Sequence, residues 1–416
     1  MKLDYKKTFL LGFGFLAIEL IWSLFNSFVP IFLKAYISSN ALIGFLMTLD
    51  NYAGFFLQPT FGTLSDRTNT RFGKRMPYLL IGMPIAAVSV ALIPLHWDLT
   101  SLIVIIIAMN VVMATFRSPT VALMPDITPE PQRSKANSII NLMGGLGAII
   151  AFFVGSKLYS LNHGYPFYMA AVVMLISLVV LNLNIREKRD SINYNAVPEP
   201  KVSVKESDSA PHREPVGNIF LLLFAIFLWF MAFDAINAFF TLYGKEYLHV
   251  NEAAAAIRLT FFSLAMLVFA IPAGILATKI GRKRTILIGL GLICLTFGGL
   301  EISHNINTIG YLFIICGAAW AMININSYPL LLSMSTGERA GRFTGYYYAF
   351  SCLAGIVSPT LCGLLIDRLG YAILFKYAVC GLVLAFFVML FVKDAKAGQG
   401  LHRRGGVTPG EAGGSV

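Results

Sequence analysis

GTLSDRTNTRFGKR, residues 62–75, lies between two hydrophobic stretches, each long enough to cross a bilayer. Gly62 and Gly73 let two helix ends approach closely, Asp66 stands among cations, and Arg67, Arg71, Lys74 and Arg75 hold the turn at a cytoplasmic membrane face. A shortened echo, GILATKIGRKR at 274–284, returns 212 residues later, with Gly274, Gly281 and Arg282 in the corresponding places. The plain alternative, a basic loop that only obeys the charge rule, explains the second copy better than the first. The recurrence divides the chain into two related halves.

Working outward, 57% of the 416 residues are hydrophobic and 13% are charged. The apolar residues come in runs of about 19 to 25, the length that crosses ~30 Å of hydrocarbon. A soluble domain is excluded, and twelve spans are expected: 8–34, 40–61, 77–95, 100–124, 137–160 and 166–185, then 217–243, 254–278, 284–302, 308–333, 342–366 and 370–392. This predicts an all-α membrane protein with an N-terminal six-helix bundle over 1–185 and a C-terminal one over 217–396. The 31 residues from 186 to 216 carry 12 charges and four prolines and read as a cytoplasmic linker. The Gly-rich stretch 397–416 reads as a disordered tail.

A net charge of +11 raises the question of nucleic acid, but the placement of the cations answers it. Of 32 Lys and Arg residues, 25 fall at the ends expected in the cytoplasm, six on the other side, and Arg117 lies inside a span. That asymmetry puts both termini in the cytoplasm of a cell membrane, with no nucleic-acid partner. The basic start MKLDYKKT runs into the first span without a small-residue cleavage site, so it reads as the beginning of a helix.

An ionisable group at mid-bilayer costs several kcal/mol unless it meets water or a partner. Glu19, Asp50, Arg117 and Asp234 occupy such positions and are the candidates for proton coupling. Glu19, Trp22 and Asn26 share one helical face, and Asn110 and Arg117, seven apart, share another. Arg117 is the one intramembrane cation available to Glu19 or Asp50; a structural salt bridge is the alternative to proton exchange. In the second half, Trp229, Asp234, Asn237 and Thr241 lie on one span, and Trp320, Asn324 and Ser327 form a face on another. An aromatic plate beside amides and carboxylates suits a sugar, which has apolar ring faces and a fringe of hydroxyls. Gly12, Gly14, Gly144, Gly145 and Gly147 are expected to serve close helix packing.

The histidines fall in loops, at span ends or in the tail, and the five cysteines show no metal-type spacing, so neither a metal nor a cofactor is expected. No GxxxxGK[ST] phosphate cradle and no nucleophile–base constellation appears, which argues against ATP as the energy source and against an enzyme.

The loop motif and its echo resemble the signature of the major facilitator superfamily. Segment 66–84 further resembles both sucrose-type proton symporters and the glycoside–pentoside–hexuronide cation symporters, and 117–137, 239–248, 319–327 and 341–351 extend the resemblance to bacterial sucrose-type relatives over both halves. The resemblance implies two six-helix bundles, alternating access and a monomer that carries a sugar or glycoside with protons. Two positions depart from the pattern. Arg117 precedes Pro119, whereas the plant sucrose carriers have the arginine after the proline, and Gly54 and Gln58 stand where melibiose-type symporters place paired acids for sodium. Protons are therefore favoured. An exporter of drug-like solutes and a transport-dead sensor or scaffold are the rival readings.

Overall fold

The computed structural model describes residues 3–190, 216–303, 305–334 and 340–393, which contain helices and no strand. Most of the expected linker and the whole tail 397–416 lie outside the described residues. Among the described residues, eleven helices are long and apolar enough to cross a membrane. The remaining span, expected over 40–61, is broken into α2 (Asn40–Met47) and α3 (Leu49–Arg67). The break falls at Thr48, whose hydroxyl bonds back to the Phe45 carbonyl at 2.8 Å. Asp50, Asn51 and Gln58 then lower the hydropathy of α3.

The rest of the first half comprises α1 (Tyr5–Lys34), α4 (Met76–Leu92), α5 (Leu99–Ile127), α6 (Arg133–Ile150), α7 (Ser156–Leu161) and α8 (Tyr165–Asn184). α6 and α7 form one span, interrupted by a single π-helical turn at Ala151–Gly155. A short α9 (Glu187–Asp190) follows. The second half comprises α10 (Val216–Glu246), α11 (Glu252–Ala256), α12 (Leu259–Ile280), α13 (Arg282–Ile302), α14 (Ile306–Ser333), α15 (Ala340–Leu369) and α16 (Ile373–Phe391). Alternating directions bring the first residues of α1 and the last of α16 to one end of the molecule, the termini end.

Within the first half α1 packs on α6 and α8, and α5 on α3 and α4; in the second, α14 packs on α12 and α13, and α10 on α15 and α16. Small residues permit the closest crossings: a Cβ on Gly147 would strike the Leu16 carbonyl of α1. The halves meet through α2 and α3 with α15, α1 with α10, α6 with α12, and α7 with α11.

Between the halves the contacts gather toward the far end, where α2 meets α15 and α7 meets α11. From Leu16 to Ile31 every residue of α1 is buried except Glu19, Trp22 and Asn26. On α10, Phe220 is 57% and Phe224 38% exposed, whereas every residue from Ala238 to Gly244 is buried. The spacings of three and four on α1 mark a face turned to an interior space rather than to neighbouring helices.

Candidate functional site

Three helices supply carboxylates to that space. α1 presents Glu19, and a Cβ on Gly144 of α6 would lie 3.1 Å from its Cγ, so the glycine leaves room for the carboxylate. α3 presents Asp50, whose Oδ1 accepts from the Asn51 amide at 3.1 Å. α10 presents Asp234 in one column with Phe227 and Phe220, at intervals of seven, with Asn237 three residues on. Asp50 lies within electrostatic range of Arg117 on α5 and of Asp234 across the half boundary. The ion pairs of the described residues involve other groups, so Arg117 closes no salt bridge with Glu19 or Asp50. The structural salt bridge considered from sequence is therefore not formed in this conformation.

Residues that the sequence reading did not single out complete the surroundings. Cys352 of α15 lies within range of both Asp50 and Asp234, and its thiol donates to the Asn51 carbonyl at 3.7 Å. Tyr348, one turn earlier, is exposed and lies within range of Arg117. Its signal was present in the run of tyrosines at 346–348, inside a segment noted only for its family resemblance.

The aromatic plates are placed differently from the expectation. Trp229 is fully buried, and Trp320, 2% exposed, lies beneath Phe233, with ring centroids 4.4 Å apart and planes within 8°. Phe230 meets Trp320 edge-on at 5.7 Å. Ser327 is buried as well; its hydroxyl donates to the Asn324 carbonyl at 3.0 Å and lies 3.1 Å from the Tyr347 hydroxyl. Of the row Trp320, Asn324 and Ser327, only Asn324 reaches the accessible surface here. The reason is packing, since rings on one helical face stack preferentially on other rings. Asn110 is buried, and both of its amide atoms, together with Nε1 of Trp22 and of Trp229, have no protein partner. Unpaired buried polar atoms are costly, so these are points where a solute or water would pair.

At the termini end the 62–75 motif forms a clasp inside the first half. The Arg75 guanidinium bonds Asp66 and Ser65, reaches the Gly62 carbonyl at 3.3 Å, and holds Asp126 at the end of α5 at 3.0 Å. Arg67 is exposed and Arg71 rests over the Phe72 ring at 4.7 Å, so the bracing cation is Arg75. Glu187 of α9, only 1% exposed, accepts from the backbone N–H groups of Lys74 and Arg75 at 2.8 Å and Met76 at 3.0 Å. It thereby caps α4. Gly73 has φ +120° and a Cβ there would run into the Glu187 carboxylate, which explains the glycine twice over. The first residues of the expected linker are thus part of the folded half.

The second copy is simpler. Gly281 has φ +93° with open space around it, Arg282 reaches the Pro329 carbonyl at 3.3 Å, and Lys283 the Leu390 carbonyl at 3.0 Å. These bonds tie α13 to the ends of α14 and α16 through backbone oxygens, in place of the carboxylates used by the first copy.

Comparison with known proteins agrees with this architecture. The profile of the Major Facilitator Superfamily matches residues 11–257 and 222–409. The isoprimeverose transporter of Lactiplantibacillus pentosus is 24% identical over 364 residues, 80% of this chain and 74% of that protein. The class H tetracycline resistance protein of Pasteurella multocida is 25% identical over 378 residues, 84% of each. A bacterial homologue of the human lysosomal transporter Spinster, solved in an inward-facing and occupied conformation, superposes with a TM-score of 0.70 at 12% identity, covering 94% of this chain and 95% of that one. The chain belongs to the major facilitator superfamily, multi-pass membrane transporters and not enzymes.

Proposed function

We propose that the protein is a proton-coupled symporter of a sugar or glycoside, working by alternating access across a cell membrane with both termini in the cytoplasm. The observation that carries this reading is the accessible row Glu19, Trp22 and Asn26 on a helix whose surrounding residues are all buried. A carboxylate, an indole ring and an amide at helical spacing suit a hydroxylated solute and an exchangeable proton. The isoprimeverose relative and the sucrose-type segments support a saccharide. Glu19 carries the proton, with Asp50 and then Asp234 next in line for that role, Arg117 tunes them, and Asn26, Asn110, Asn237 and Asn324 pair with solute hydroxyls as the halves rock.

Export of an apolar solute is the second reading. It is favoured by the tetracycline resistance relative and by the exposed Phe220 in one helical column with Phe227 and Asp234. Uptake into proteoliposomes of radiolabelled mono- and disaccharides, with and without an imposed pH gradient, separates the two. Accumulation of at least one saccharide on an inward proton gradient is expected. No accumulation of any, with export of a lipophilic cation instead, would favour the exporter.

A further inference from the structure

Gly62-Thr-Leu64-Ser-Asp66-Arg67 has a spaced match, Gly363-Leu-Leu365-Ile-Asp367-Arg368, at the opposite end of the molecule. The first Asp binds an arginine of its own half, whereas the second binds the other half. Asp367, near the end of α15, accepts at Oδ1 from the Asn40 backbone N–H at 2.6 Å and from the Asn40 side-chain amide at 2.8 Å. At Oδ2 it accepts from the Ala41 N–H at 3.0 Å and the Ser39 hydroxyl at 2.9 Å. Asn40 and Ala41 open α2, and the first N–H groups of a helix have no partner within it. Asp367 supplies that partner from across the boundary, with its charge at the positive end of the helix.

The surroundings reinforce the contact. The Tyr371 hydroxyl donates to Asn40 Oδ1 at 2.6 Å, and the Lys34 ammonium bonds the same oxygen at 3.1 Å. Next to it the two backbones touch: a Cβ on Gly44 would strike the Pro359 carbonyl, and one on Gly363 the Asn40 carbonyl. α2 is eight residues long and separated from α3 at Thr48, so it is a short body held mainly by this interface.

We propose that Asp367 is the latch of the far-end gate: a positioning residue that holds the halves closed on that side by capping α2 across the boundary, and that must release it whenever that side opens. The G-x-L-x-D-R pattern then serves both faces of the membrane, as a brace inside one half at the termini end and as a removable bond between halves at the far end. This rests on the two-state cycle of the preceding section and not on its solute or proton.

Hydrogen–deuterium exchange of the purified full chain in lipid nanodiscs tests it without any transport assay. In Asp367→Ala, amides of 39–47 and 359–369 should exchange at least tenfold faster than in the parent, while those of α4 and α5 keep their rates. Asp367→Asn preserves shape and turns an N–H₂ toward the same donors; it should raise exchange in the same two segments at least threefold. Unchanged rates at 39–47 in Asp367→Asn would overturn the latch. So would a uniform rise across all helices in both variants, which would make Asp367 an ordinary contributor to folding. If the exchange shift appears while the parent accumulates no saccharide, the latch stands and the sugar reading falls.

Discussion

Two carboxylates, Glu187 and Asp367, do the same local chemistry at opposite ends of the molecule with opposite consequences. Each accepts from the unpaired N–H groups that open a helix, Glu187 at α4 and Asp367 at α2. Glu187, α4 and the Arg75 clasp lie within one half, so rocking of the halves leaves their bonds intact. Asp367 and α2 belong to different halves, so the same motion must break theirs. Hydrogen bonds to a charged acceptor are each worth about 1.5–3 kcal/mol. Whether that energy stabilises the protein or one conformation of it depends on which side of the half boundary the donor lies.

The contrast fails most plainly if Glu187 proves dispensable. Glu187→Ala strands three N–H groups at a buried helix start, and a loss of about 3 kcal/mol or more is expected. Thermal melting in detergent reads it, and a loss under about 1 kcal/mol would erase the distinction between brace and latch. The two loop glycines sharpen it. Gly73→Ala combines left-handed backbone with a collision against Glu187 and should cost about 2–3 kcal/mol, whereas Gly281→Ala, strained but unobstructed, should cost about 1 kcal/mol. Equal melting shifts would mean that the Glu187 contact adds nothing to the first copy.

The smallest effect is expected at Asp190, which takes the Lys7 ammonium at 3.0 Å and so ties α9 to the start of α1. Burial pushes its pKa up, but hydrogen bonds from Arg189 and Lys7 outweigh this and hold it below the usual carboxylate range. A lowered folded pKa gives stability that is present above the unfolded value, near 3.9, and fades as pH falls through the folded one. With Arg189 well exposed and Lys7 partly so, Asp190→Asn should cost under about 1 kcal/mol near pH 7 and nothing at strongly acid pH. A cost that grew on acidification would reverse the assigned sign.

Much of this was legible in the sequence, because the membrane forces length and charge placement into simple patterns. Eleven spans among the described residues and the accessible face of α1 follow from apolar runs and from spacings of three and four. The break at Thr48 was not legible, since α2 and α3 read as one apolar run until their polar centre is counted. The caps were hidden for a different reason: Glu187 sits 112 residues from Arg75 and Asp367 lies 327 from Asn40, distances over which periodicity carries no information. Spacing alone correctly put Trp320, Asn324 and Ser327 in one row. It could not reveal that Phe233 covers the indole or that Tyr347 engages the hydroxyl.

Whether solute movement through the interior is tied to a proton on Glu19 is decided by one pair of assays on Glu19→Gln proteoliposomes. The glutamine mimics a permanently protonated acid. Solute counterflow exchange within about twofold of the parent is expected, together with loss of accumulation on an imposed pH gradient. Accumulation on that gradient to the parent's level would contradict it and move the coupling to Asp50 or Asp234.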